Sequence, residues 1–449
     1  MAAEVGLNPQ SIDLLIDARW VIPVNPAGSV LEDHSVAVRD GRIVAVLPRA
    51  RAQVAYVASE HVSLPMHALI PGMVNLHTHA AMALFRGYAD DMPLMQWLQD
   101  RIWPAEVRHV SPQFVYDGTL LACAEMLRAG ITCFNDMYFY PGEAARAALD
   151  LGMRAALGLI VIDAPSAYAS DADDYVAKGL ALRDALREQP LLSFCMAPHA
   201  PYSVSDATFA RLITLAEELD LPVHMHVHET ADEIERSLAQ HGMRPLERLR
   251  RLGLVGPNLI AVHAVHLEQE EIELLAQNGS SVAHCPSSNL KFANGFAPVA
   301  RMLAAGVNIG LGTDGAASNN RLDLFQEMRQ AALLAKAVSA NARALPAHRA
   351  LSMATLDGAR ALRLDHAIGS IEPGKFADLT AVEFAAPDML PCYDPISHIV
   401  YTAGREHVSH VWVAGRMVVQ DRMLQSLPKN DLENLAVLWQ NRLSMETKA

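Results

Sequence analysis

Two patterns of apolar and polar positions divide this chain. Short runs at 14–16, 20–24, 35–39 and 42–47 predict β-strands, with Asp40-Gly41 as a hairpin signal between the last two. This opening stretch is expected to be an antiparallel β segment. From Pro71 onward the pattern changes to brief apolar runs separated by amphipathic stretches. The runs lie at 69–77, 132–137, 153–162, 191–197, 223–228, 259–265, 281–284 and 307–312; the amphipathic stretches include 112–129, 173–189, 206–219 and 268–277. Eight strand signals with helices between them predict a (β/α)8 barrel, the TIM-barrel class of α/β fold. After a helix expected around 351–362, β patterning returns at 367–383 and 407–419, and 431–445 predicts a last amphipathic helix. The late strands have no helices to pair with, so they are expected to join the early ones in a small composite β-sandwich domain. The expected division is 1–70 and 373–449 for that domain and 71–372 for the barrel.

Composition narrows the class. In 449 residues, 51% hydrophobic and 19% charged positions supply a large core and exclude disordered, collagenous and low-complexity chains. A net charge of −14 without a basic run argues against nucleic acid or an anionic membrane as partner and leaves a small molecule. No basic, apolar leader opens the chain, and the longest apolar run, 155–162, is far short of the ~20 residues that span a bilayer. Five dispersed cysteines without a CxxC pair predict reduced core thiols and a cytoplasmic location. Homo-oligomerisation stays open. Nineteen histidines beside five cysteines stand out.

The histidines gather at predicted strand ends. Met73-Val74-Asn75-Leu76-His77-Thr78-His79 ends an apolar strand in His-x-His, and the two-residue period of a strand points both imidazoles the same way. Val223-His224-Met225-His226-Val227-His228-Glu229 adds three more and a carboxylate. Val262-His263-Ala264-Val265-His266 follows on the next strand, and Gly312-Thr313-Asp314-Gly315 closes the last. Alone, one His-x-His step is better explained by packed or solvated histidines. In a barrel, however, C-terminal strand ends converge on one mouth, so metal-type side chains on strands 1, 5, 6 and 8 can meet. Strand parity does not choose among His224, His226 and His228.

These segments resemble the amidohydrolase superfamily, through PGMVNLHTHAAMALFRGYADD, HVHET, AVHAVHL, AHCPSSNLKFANG, GLGTDGAASNN and IGSIEPGKFADL, over nearly the whole chain. Within it, the chain looks like the 5′-methylthioadenosine/S-adenosylhomocysteine deaminase branch. The resemblance implies the metal ligands His77, His79, His226 and Asp314, with His-x-x-Glu spacing selecting His226 and Glu229. His224, His228, His266 and His284 are expected to line or pack. A second metal would need a carboxylated lysine on a middle strand. The barrel region holds only Lys178, Lys291 and Lys336, none on a predicted strand. One Zn²⁺ per subunit is therefore expected, with Fe²⁺ or Mn²⁺ fitting the same ligand types.

The chemistry expected from the resemblance is hydrolytic deamination at C6 of an adenine nucleoside. Asp314 would carry the proton of the nucleophilic water, His263 would hydrogen-bond the nucleophile, and Glu229 would protonate ring N1. Glu106 matches the position that grips the ribose hydroxyls, and His199 matches another substrate contact. Met82, Leu84, Phe85, Trp97 and Trp103 are candidates for an apolar wall. Members that accept S-adenosylhomocysteine are expected to place an arginine shortly after Gly152-Met153-Arg154, yet 155–175 holds neither arginine nor lysine. An unpaired carboxylate in a pocket is costly, so 5′-methylthioadenosine and adenosine are expected over S-adenosylhomocysteine. The rival readings are a guanine, cytosine or triazine deaminase or chlorohydrolase with the same metal pattern.

Overall fold

Eight parallel strands, Met73–Thr78, Ile131–Asp136, Arg154–Val161, Leu192–Pro198, Val223–Val227, Leu259–His263, Ser281–His284 and Asn308–Leu311, follow one another in sequence order around a barrel. They are the eight expected strands. The structure is a computed structural model that describes residues 9–446; residues 1–8, where the segment judged free of a leader begins, lie outside the described residues.

Continuous burial identifies these strands. The first, second, third, fifth, sixth and seventh bury every residue, as expected for strands covered by helices outside and side chains inside. Many of the intervening helices start on a polar cap. Ser111, Asp171, Ser205 and Thr230 each accept a hydrogen bond from the backbone of the first turn of Pro112–Arg128, Ala172–Leu186, Asp206–Glu218 and Ala231–His241.

The seam between the last strand and the first determines how the mouth is built. Asp314 N donates to His77 O at 3.0 Å. The Asn75 amide meets Thr313 twice, through Nδ2 to Oγ1 at 2.7 Å and Oδ1 from N at 2.9 Å. Gly312 permits this closure, because a Cβ there would lie 2.9 Å from His77 Cβ and 3.0 Å from Cys285 Sγ.

Both chain ends enter one further eight-stranded sheet, in the order Met423–Leu424, Arg416–Gln420, Val408–Val413, Leu379–Glu383, Tyr56–Pro71, Gln10–Val21, Leu31–Arg39 and Arg42–Pro48. The Asp40-Gly41 hairpin forms with positive φ at both residues. The opening segment is not purely antiparallel. Helix Arg49–Ala55 carries the chain back, so Gln10–Val21 pairs in parallel with Tyr56–Pro71. The runs at 14–16 and 20–24 are parts of one strand through Val21, and only Leu379–Glu383 of 367–383 is a strand. Tyr56–Pro71 leads through Gly72 into the first barrel strand, so 69–71 belong to this sheet. A Cβ at Gly72 would lie 2.2 Å from Thr132 Oγ1, and glycine lets the two sheets meet there.

A buried ion pair ties the layers together. Arg154, on the third barrel strand, donates to both Asp378 oxygens at 2.9 and 3.2 Å beside strand Leu379–Glu383. The last helix, Lys429–Glu446, covers the expected 431–445 and docks Trp439 against Phe114, with its indole N–H on Asp117 Oδ2 at 2.8 Å. The five cysteines are free thiols. Among the described residues, no helix is long and apolar enough to cross a membrane.

Candidate active site

At the C-terminal mouth, side chains far apart in sequence share one buried volume. His77 Nε2 and His79 Nε2 each lie 3.3 Å from Asp314 Oδ1, and His226 Nε2 lies 3.3 Å from His77 Nε2. One ligand atom from each of His77, His79 and His226 falls within 4.8 Å of the others, and the same holds for His77, His263 and Asp314.

The outward nitrogens explain the orientation. His79 Nδ1 donates to Met137 O at 2.6 Å, and His226 Nδ1 to His199 O at 2.7 Å. Carbonyls accept only, so both rings place their Nδ1 proton outward and turn Nε2 inward. His77 Nδ1 lies 2.9 Å from His224 Nε2, which places His224 behind His77 rather than beside it. Burial pushes the His77 imidazole down to about 3 and holds His226 and His224 well below the usual range. Imidazole nitrogens turned inward, together with one carboxylate, are the donor set a divalent zinc-type ion takes. None of the three barrel-region lysines reaches this cluster: Lys178 pairs with Asp174, Lys291 with Asp90, and Lys336 with the carbonyls of Ala344 and Leu345.

Strain marks the same positions. His263 has φ +70°, Ala264 +48°, Asp314 +61° and His228 +56°, all in the left-handed region that non-glycine residues avoid. Helix Pro286–Lys291 and the next backbone N–H hold two of them, Asp314 and His263. Ser288 Oγ donates to Asp314 Oδ2 at 2.7 Å, Gly315 N to Asp314 Oδ1 at 2.7 Å, and Asn289 Oδ1 lies 3.0 Å from His263 Nδ1.

Glu229 stands across from His263, with Oε2 3.7 Å from Nε2. It is 8% exposed and accepts a hydrogen bond from Asn294 Nδ2 at 3.1 Å. Burial first, and then the neighbouring Asp314 charge, raise its carboxyl to about 8. Its backbone is pinned by Glu233, whose carboxylate accepts the N–H groups of His228 and Glu229 at 2.9 and 2.8 Å. Each buried N–H left without an acceptor costs about 1–3 kcal/mol. Glu233→Ala is therefore expected to lower unfolding free energy by about 2–4 kcal/mol in urea melts, and a loss under about 1 kcal/mol would count against this bracing.

Glu106 and His199 complete the group. Glu106, on helix Trp103–His109, accepts the Tyr138 hydroxyl at 2.7 Å, and desolvation lifts its carboxyl to about 7. The Tyr138 ring is 6.4 Å from His79. The His199 ring lies 4.9 Å from that of His226, tilted by 58°, and burial lowers it to about 4. His228 instead accepts Leu246 N at 3.0 Å, and His284, though at a strand end, lies outside the ligand cluster. The apolar-wall candidates divide. Phe85 is fully buried against Phe114 and Tyr88, because the helical turn Ala80–Phe85 rotates it into the core. Trp103 is 41% exposed, while Trp97 packs on Phe292.

Sequence reasoning gave no roles to Glu233, Ser288, Asn289, Asn294 or Tyr138. Three of these lie inside AHCPSSNLKFANG, a motif used above only as a mark of resemblance.

Comparison with known proteins agrees with this architecture. A curated 5-methylthioadenosine/S-adenosylhomocysteine deaminase of Saccharophagus degradans is 46% identical over 439 residues, 98% of each chain. Its counterpart from Teredinibacter turnerae is 45% identical over 97% of this chain and 99% of its own. The crystal structure of an adenosine deaminase from Xanthomonas campestris with bound zinc is 51% identical, covers 97% of this chain and 100% of its own, and superposes with a TM-score of 0.96. The profile of the amidohydrolase family matches residues 68–418, and with relatives this similar over nearly its full length the chain belongs to the amidohydrolase family.

Proposed function

We propose that the protein is a zinc-dependent aminohydrolase that converts 5′-methylthioadenosine and adenosine to the inosine analogues and ammonia, in preference to S-adenosylhomocysteine. The observation that carries this reading is the convergence of three inward imidazole nitrogens and Asp314 beside a Glu229 carboxyl raised to about 8. It is supported by the names of the most similar relatives and by the zinc in the adenosine deaminase structure.

A zinc ion held by His77, His79, His226 and Asp314 supplies a Lewis acid that makes water acidic enough to react near neutral pH. Iron(II) or manganese(II) fits the same ligand types. Asp314 takes a proton from the attacking water and passes one to the leaving amine. Glu229, protonated at neutral pH, donates to ring N1 and makes C6 electrophilic. His263 Nε2 hydrogen-bonds the nucleophile. Each acid or base contributes about 10²–10⁴ in rate. Glu106, held by Tyr138, takes the ribose hydroxyls, and neutral His199 contacts the nucleoside. The arginine of the Gly-Met-Arg step does not serve a substrate carboxylate, since both Asp378 oxygens hold it. The acidic chain suits a small nucleoside rather than nucleic acid, and the free thiols suit a cytoplasmic enzyme, as a monomer or homo-oligomer.

The test is ammonia release from adenosine, 5′-methylthioadenosine, S-adenosylhomocysteine, guanine and cytosine. Methylthioadenosine and adenosine are expected to have the highest kcat/KM. Silence on every adenine nucleoside would sink the reading. Equal turnover of S-adenosylhomocysteine would remove the argument from the missing arginine.

A further inference from the structure

A small pocket is lined by His284, Asn289, Leu290, Phe296 and Val299, with about 10 Å³ open to the centre of a water-sized molecule. Its walls are largely apolar, yet three polar atoms there lack protein partners among the described residues: both ring nitrogens of His284 and Nδ2 of Asn289. His284 is 3% exposed and Asn289 2%. Orphaned polar groups at this depth are uncommon, and about 10–15 Å³ is the space one water centre needs. The other end of the same Asn289 amide meets His263 Nδ1 at 3.0 Å.

We propose that His284 and Asn289 hold one buried water and form a positioning relay that fixes the hydrogen-bond polarity of His263. A neutral imidazole offers one donor and one acceptor, so His284 can both receive from and donate to a water. Burial keeps it neutral, down to about 3. The water takes the Asn289 Nδ2 donor, which turns Oδ1 toward His263. An amide oxygen accepts only, so His263 carries its proton on Nδ1 and shows a lone pair on Nε2 to the reaction centre. His263 then accepts a hydrogen bond from the nucleophile, whose proton goes to Asp314, instead of competing with Glu229 as a second donor. This inference rests on the deaminase reading for its consequence, but the tautomer and the water do not require substrate.

Three measurements test it, all on zinc-loaded full-length protein. In ¹⁵N-histidine-labelled enzyme, His263 is expected to show Nδ1 protonated and Nε2 unprotonated, and a high-resolution crystal structure is expected to show ordered density between His284 and Asn289. Asn289→Leu, which removes the acceptor, is expected to lower kcat about 10- to 100-fold with KM and zinc content little changed, while Asn289→Asp, which keeps it, recovers part of that loss. A proton on Nε2 of His263, a dry pocket, or Asn289→Leu within twofold of the parent kcat would each overturn the relay. If no adenine nucleoside is deaminated, the spectroscopic and crystallographic results still decide it.

Discussion

Asp314→Asn is expected to lower turnover by about 10³-fold or more and to cut zinc content well below one ion per chain. The substitution is nearly isosteric. Asparagine tolerates the φ of +61° at this position, and its carbonyl keeps one of the two acceptor roles toward Ser288 and Gly315. The fold should therefore survive, so the loss reports on charge. On the proposed function, two roles meet on one carboxylate: Oδ1, 3.3 Å from the inward nitrogens of His77 and His79, would help hold the ion, and the same group would carry protons. A neutral amide weakens the first and abolishes the second. Metal analysis of the purified variant beside its kcat separates them. Normal zinc with full activity would take Asp314 out of the site.

The second large effect is a paired result for Glu229. The rate should fall as pH rises toward 8, because a proton donor works only while protonated and this carboxyl is raised to about 8 by burial and by Asp314. A bound cation nearby favours the carboxylate and draws that limb to lower pH. Glu229→Gln keeps the size and one acceptor for Asn294 but has no proton to give. It is expected to lower kcat about 10²–10⁴-fold, leave zinc content unchanged, and flatten the alkaline limb. Persistence of the same limb in Glu229→Gln would assign it to another group. Glu106, lifted to about 7, is the nearest alternative, and a Glu106→Gln profile distinguishes the two.

Much of the architecture is legible in local pattern. Each of the eight barrel strands coincides with an apolar run in the sequence, because strands buried on both faces must be apolar throughout. The helix Arg49–Ala55 and the strand Tyr56–Pro71 were missed, for a related reason. That strand exposes much of its first half and buries its end, so it shows neither a clean alternation nor a continuous run. Its parallel partner Gln10–Val21 lies across the intervening hairpin, and pairing at that distance leaves no mark on either segment alone.

For the site, residue chemistry at strand ends was enough to mark His77, His79, the His224/His226/His228 set, the His263/His266 pair and Asp314 as candidates, since few side chains can ligate a metal and a barrel gathers strand ends, while the family resemblance chose His226. What the sequence by itself determined was that a cluster of such groups forms. Where each group points was decided by tertiary structure. His224, His226 and His228 share one strand parity, so periodicity treats them alike, and depth along the barrel axis separates them. His224 sits behind His77, and His226 reaches the centre. His228, past the strand end at φ +56°, turns away to the backbone of Leu246. The bracing of Glu229 by Asn294, of Asp314 by Ser288 and of His263 by Asn289 spans 26 to 65 residues of chain. Hydrogen bonds of that reach depend on how helix Pro286–Lys291 and the segment after it fold back over the mouth, and the closed barrel, with Asn75 joined to Thr313, brings these segments together.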